Sequence, residues 1–226
     1  MRNRFIPSVL LATMATIIGC SGLRTRMIIE ETRETMKQAE KYDVASYAPD
    51  QFAKAQGNIR SSERMLQKNR KTEARHASEK ALFEASEALR ISRQSKTAIS
   101  LKQARDALKL VEKNRAQDIN PAIHTRLKGD VRKATRAFIS ERWDACINSS
   151  RNARFHADIL LEPLKKEVDA RNKKIQKQIE NLKDPPAGIQ SLRQELREAV
   201  DEKNHRRALD ILEKMESRIR AKRKNP

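Results

Sequence analysis

The chain has 226 residues, with 49 Lys and Arg against 30 Asp and Glu, a formal charge of +19, and only 4% aromatic residues. Five glycines, set among abundant Ala, Leu, Lys, Arg and Glu, describe a mostly helical chain and exclude an all-β fold, a collagen-like fibre and a large α/β enzyme with Gly-rich loops. Two cysteines, Cys20 and Cys146, exclude a disulfide framework, and 38% hydrophobic residues suffice for long helical seams but not for a thick globular core.

At the N-terminal end Arg2 and Arg4 precede an 11-residue run, Val9 to Gly19, that is apolar apart from its threonines. The run is too short to cross ~30 Å of hydrocarbon as a helix, but it has the length of a signal-peptide core. It closes on Ile17-Ile18-Gly19-Cys20, which resembles the lipobox of bacterial lipoproteins. The resemblance implies cleavage between Gly19 and Cys20, diacylglycerol on the Cys20 sulfur and an acyl group on the freed amine. The other reading is an ordinary cysteine behind a plain signal peptide or anchor, although no A-x-A-like cleavage triplet stands after the run. With each buried methylene worth ~0.8 kcal/mol, two or three acyl chains give lasting attachment. Arg24 and Arg26 would lie at anionic headgroups, each adding ~1 kcal/mol. Residues 1–19 are thus expected to be a signal peptide and 20–30 a lipidated juxtamembrane linker, leaving a chain of +17.

Beyond this point proline punctuates the sequence at 49, 121, 163, 185 and 186, and each is expected to open a helix, since proline suits the first helical position. Asn120 is a candidate cap for the helix opening at Pro121. No Gly or Pro interrupts Thr72 to Gln117, which predicts one long helix of roughly 65–70 Å and an elongated object.

An internal repeat emerges at an offset of 72 residues: 49–89 superimpose on 121–161 with 10 identities in 41 positions, among them Pro49/Pro121, Gly57/Gly129, Arg70/Arg142, Ser78/Ser150 and Phe83/Phe155. Each copy reads as a helical hairpin. The first helix ends near Asn69 or Glu141, and the second starts with small residues: Ala74, Ala77 and Ala81, or Ala145, Cys146, Ser149 and Ala153. Small residues at this spacing let two helices approach closely. Gly57 and Gly129 are expected to mark close backbone approach, so that leucine there would overpack. A third, shorter hairpin is expected from Pro185-Pro186 through Arg220, with its joint near Lys203–Arg206. In it Leu192, Leu196, Ala199 and Val200 face Ala208, Ile211, Leu212 and Met215. The expected fold is all-α: elongated hairpins with tetratricopeptide-like or coiled-coil packing, as two homologous copies (31–117 and 118–183) and a C-terminal hairpin with a basic tail (184–226).

Ala39-Glu40, then Tyr47-Ala48-Pro49 with Phe52-Ala53-Lys54-Ala55 behind it, and an Ala-rich helix from Ala74 to Ala88 resemble the small helical domain of unknown function 4398 of bacterial envelope lipoproteins. Arg142-Trp143-Asp144-Ala145 resembles the start of a tetratricopeptide second helix. These resemblances imply an envelope location and a hairpin architecture, with no assigned chemistry.

Motifs for catalysis are lacking. His76, His124, His156 and His205 are 48, 32 and 49 residues apart, so no pair has the i, i+4 spacing of a helical metal site. No phosphate-cradling loop or nucleophile elbow is present. Carboxylates such as Glu167, four residues before Arg171, read as helix-face ion pairs. Neither catalytic residues nor a metal or cofactor is therefore expected. Cys146 reads as a small seam residue or, in an oxidising periplasm, as half of an intermolecular disulfide. Trp143 reads as a lid on a hairpin end or as a ligand platform.

Residues 203–226 carry nine Lys and Arg against three acids. Arg218, Arg220, Lys222, Arg223 and Lys224 read either as a solvated helix end that suits the helix dipole or as a contact for an anionic envelope polymer. The leading expectation is an envelope lipoprotein, reaching from the outer membrane into the periplasm, with a structural or adaptor role toward another envelope protein. The alternatives are an accessory regulator of an envelope enzyme and a cytosolic basic helical protein that binds nucleic acid. The scarcity of aromatic stacking platforms weighs against the last.

Overall fold

A computed structural model describes residues 7–182 and 185–224, with side chains over 22–182 and 185–222. Gly19, Cys20, Arg223 and Lys224 lie outside the residues whose side chains are described. The fold is all-α, with no strand among the described residues. In chain order the helices are α1 (Pro7–Glu40), α2 (Val44–Tyr47), α3 (Pro49–Gln67), α4 (Lys71–Lys113), α5 (Pro121–Ile139), α6 (Trp143–Glu180), α7 (Ile189–Asp201) and α8 (His205–Lys224). They form two compact units, one up to Thr97 and the other from Ala98, and α4 contributes to both.

In the first unit α1, α3 and α4 share a narrow core of Ile29, Met36, Ala55, Ile59, Ala81 and Ala85. Three of its six members are alanines from α3 and α4, which lets the helix axes approach closely there. Residues 22–30, expected to be a linker, are helical, and Thr25 and Ile29 are buried in this unit. The end of α1 is held from α4: Lys96 donates to the Lys41 carbonyl at 2.9 Å and pairs with Asp43 at 2.8 Å. Arg93 sits over the Tyr42 ring, 5.3 Å from its centroid.

In the second unit α5 packs along α6, and α7 and α8 close onto the C-terminal half of α6. The core runs from Leu127 and Val131 through Leu160, Leu164, Val168 and Ile175 to Leu192, Leu196, Leu212 and Met215. Asn120 caps α5 by accepting from the Ile123 N–H at 3.1 Å.

Pro49 and Pro121 open their helices at the first position. Pro163 does not: it lies inside α6, contrary to expectation. It faces solvent while Leu160 and Leu164 are buried on either side. Core packing thus carries the helix through, and water can reach the carbonyl that proline leaves without a donor. Pro185 and Pro186 also precede their helix without opening it, because Gly188, at φ 73°, turns the chain into α7.

The three hairpin joints share one geometry. Arg70 N–H bonds the Met65 carbonyl, Arg142 N–H that of Ala137, and Asn204 N–H that of Ala199, at 2.9, 2.9 and 2.8 Å. The preceding residues, Asn69, Glu141 and Lys203, are left-handed at φ 56, 53 and 54°. Each joint is a Schellman turn whose left-handed position is occupied by something other than glycine. One turn into the next helix, Ala74, Cys146 and Ala208 are all fully buried.

Close approach at Gly57 and Gly129 is overturned. A Cβ at either position would meet nothing within 4 Å, so neither residue is selected by a neighbouring backbone. The seams run elsewhere, through Ala74, Ala81, Cys146 and Ala153, which are buried. Ala145 is exposed and Ala77 and Ser149 half-buried, since they lie off the seam face. Val200 is 41% exposed, whereas the other residues expected in the third seam are buried.

Candidate functional site

The chemistry-bearing side chains are dispersed. Among the described residues no group of three His, Cys, Asp or Glu is placed to hold a metal ion. His76 is exposed on α4, 3.9 Å from Glu79. His156 bridges from α6 to α5, its Nδ1 3.0 Å from Asp130 Oδ2, with both side chains largely buried. Sequence spacing misses this pair, because its members are 26 residues apart on different helices. The available signal is an aspartate at 130 inside the apolar stripe of Leu127, Val131 and Ala134. Glu167 pairs with Arg171 at 3.6 Å, as the i, i+4 spacing predicts, but Arg171 also reaches Glu216 of α8 at 3.1 Å.

His205 starts α8 at the edge of a cavity of about 380 Å³ walled by Leu110, Leu161, Val168 and Val200. Burial holds its imidazole below the ordinary value of 6.5, partly opposed by the charge of Asp169 and reinforced by that of Lys165. Cys146 is a free thiol packed against Leu101, Ala134 and Ala137. Burial pushes its pKa up, with the Ser150 hydroxyl and the charge of Arg105 working the other way. A raised thiol in an apolar seam is a poor nucleophile.

Three surfaces remain. In the first unit a groove of about 830 Å³ is lined by Leu23, Arg26, Ile29, Leu66 and Lys71, with Arg33 pairing Glu63 at 2.5 Å across it. Leu23 and Met27 are exposed beside it. In the second unit the α5–α6 joint carries Ile139, 77% exposed, next to Trp143, which packs edge-on against Phe138 with ring centroids 6.2 Å apart. Trp143 therefore caps a hairpin end.

The third surface is the basic end of α8. There Arg218 donates to the Ala187 carbonyl at 3.2 Å and covers Gly188, while Arg220 pairs with Glu216 at 3.6 Å. Lys222 is exposed. Arg218 thus holds the turn before α7, a role its sequence position does not reveal. The structure divides the three it describes, Arg218, Arg220 and Lys222, between protein contacts and solvent and builds no common site from them.

No protein-family model, curated protein or solved structure matches the chain. Among the described residues no helix is long and apolar enough to cross a membrane.

Proposed function

We propose that this chain is a lipoprotein of the bacterial envelope, anchored through acylated Cys20, whose helical hairpins serve as a structural or adaptor element. The observation that carries the reading is the order Arg2/Arg4, apolar run, Ile17-Ile18-Gly19-Cys20. The residues just behind Cys20 support it. Packed side chains reach back to Thr25, and Arg24 and Arg26 are exposed on the same helix. At 1.5 Å per residue these arginines lie only roughly 6–9 Å along the helix from Cys20, within reach of headgroups.

In this reading acyl chains carry the attachment, the membrane is the outer one, and the hairpins face the periplasm. The hairpins of 49–89 and 121–161 are two copies of one unit. That is supported by helix starts and left-handed joint residues that coincide at the same offset as the identities. The adaptor role is supported by Phe83 and Phe155, which occupy matching positions and are 65% and 61% exposed. No catalysis is assigned.

Fractionation of cells expressing the chain and its Cys20→Ser variant tests the anchor. The parent chain is expected in the membrane fraction after a high-salt wash, and the variant is expected to lose that retention. A parent chain released by salt together with nucleic acid would overturn the reading in favour of the cytosolic alternative.

A further inference from the structure

Three joints in this fold have the same Schellman hydrogen bonds, so they can be compared position by position. The first runs Gln67-Lys68-Asn69-Arg70-Lys71 and the third Asp201-Glu202-Lys203-Asn204-His205, polar or charged throughout. The second runs Ile139-Ser140-Glu141-Arg142-Trp143. The turn itself therefore needs no apolar residue at its first or last position, yet only here do both positions carry one.

Ile139 is the most exposed large apolar side chain among the described residues, at 77%. Trp143 is half-buried and held in orientation by its edge contact with Phe138. Around the tip, Arg132, Arg136 and Arg142 are exposed and outnumber Glu141 and Asp144, while Lys133 pairs with Asp130 at 3.5 Å. An aliphatic tip, a tryptophan at its rim and a surrounding excess of arginine match the layers of an anionic bilayer surface: acyl chain, glycerol level and phosphate.

We propose that the α5–α6 tip is a membrane-contacting site, inserting Ile139 and the rim of Trp143 at the surface of an anionic phospholipid bilayer while Arg136 and Arg142 meet phosphates. This contact is separate from the Cys20 anchor and does not depend on it. It would give the second unit its own hold on a membrane, adding to the anchor by raising effective concentration.

Trp143 is the only tryptophan in the chain, so its fluorescence reports this tip and nothing else. The test uses the full chain with vesicles of phosphatidylethanolamine and phosphatidylglycerol, or of phosphatidylcholine alone, each carrying brominated acyl chains. With anionic vesicles Trp143 emission is expected to shift to the blue and be quenched, with little change in phosphatidylcholine. Ile139→Ser should abolish most of the quenching while leaving the helical circular dichroism unchanged, because the residue it replaces is solvent-facing. Arg136→Gln and Arg142→Gln should each weaken the anionic response about fivefold, the equivalent of ~1 kcal/mol per cation at the surface.

Unquenched Trp143 in a chain that nonetheless sediments with the vesicles would overturn the tip contact and leave the anchor standing. Equal quenching in both lipids would overturn the charge-selective contact. A blue shift that grows with protein concentration without lipid would assign the tip to a second copy of the chain instead.

Discussion

Asn114, at the end of α4, donates through Nδ2 to the carbonyl of Lys203, 89 residues further on, at 3.0 Å. Its second Nδ2 hydrogen goes to the Leu110 carbonyl at 2.9 Å, and its Oδ1 accepts from the Arg206 N–H at 3.1 Å. One fully buried amide thus satisfies three backbone groups and fixes the α7–α8 joint against α4.

Replacing Asn114 by Ala is expected to destabilise the second unit by about 1–3 kcal/mol, because the Lys203 carbonyl and Arg206 N–H lose a partner in a partly buried place. Thermal unfolding followed by circular dichroism checks this. Hydrogen exchange should show the opening confined to α7 and α8. A melting curve unchanged from that of the parent would contradict the role given to Asn114.

Gly57 and Gly129 sit in helix interiors with open space where a Cβ would go. Alanine at either position should stabilise its helix by about 1 kcal/mol, since glycine loses more backbone freedom on folding than any other residue. A rise in melting temperature for both variants is expected, and a fall in either would restore close packing as the explanation.

Glu141 and Lys203 hold left-handed backbone conformations that side chains with a Cβ adopt at a cost. Glycine at either site should stabilise its hairpin by roughly 0.5–1 kcal/mol, the strain relieved outweighing the extra entropy of the unfolded chain. Urea denaturation of Glu141→Gly and Lys203→Gly reads this as a higher midpoint.

Elements set by local sequence are legible in it, and those set by distant partners are not. Pro49 and Pro121 announce their helices because a missing N–H and a fixed φ act within one turn. The joints at Asn69 and Glu141 stand where the apolar periodicity breaks. Asn114 and Arg218 give no such signal, and the His156–Asp130 pair gives only an aspartate inside an apolar stripe, because each acts on a residue that reaches it only after the helices pack. Gly57 and Gly129 mislead for a related reason: recurrence in register does not show that anything stands close to either. Pro163 misleads because the packing of Leu160 and Leu164 on either side of it, which its local sequence does not reveal, carries the helix through.

His205 gives the second unit a pH dependence of definite sign. Its folded pKa lies below the ordinary 6.5, so the unfolded chain takes up a proton that the folded chain resists. Stability from this group is therefore fully present above 6.5 and is lost as the pH falls through the folded pKa. Denaturant midpoints measured from about pH 7.5 downward should fall, and His205→Gln should flatten that part of the profile. A steeper fall in the variant would contradict the assignment.

Cys146 is fully buried with its thiol pKa raised, so a maleimide should label it in urea and scarcely at all in buffer. Cys146→Ala should fold normally, since Ala74 holds the corresponding buried place after the first joint. Fast labelling of Cys146 in the native protein would show that the seam around it is open.

That Cys20 is the first residue of a lipid-anchored chain is tested most directly by the intact mass of the protein purified from cell membranes. A mass equal to residues 20–226 plus acyl chains is expected, with the modification on Cys20. A membrane-free species that retains Met1 and an unmodified Cys20 would contradict the anchor and the envelope role built on it.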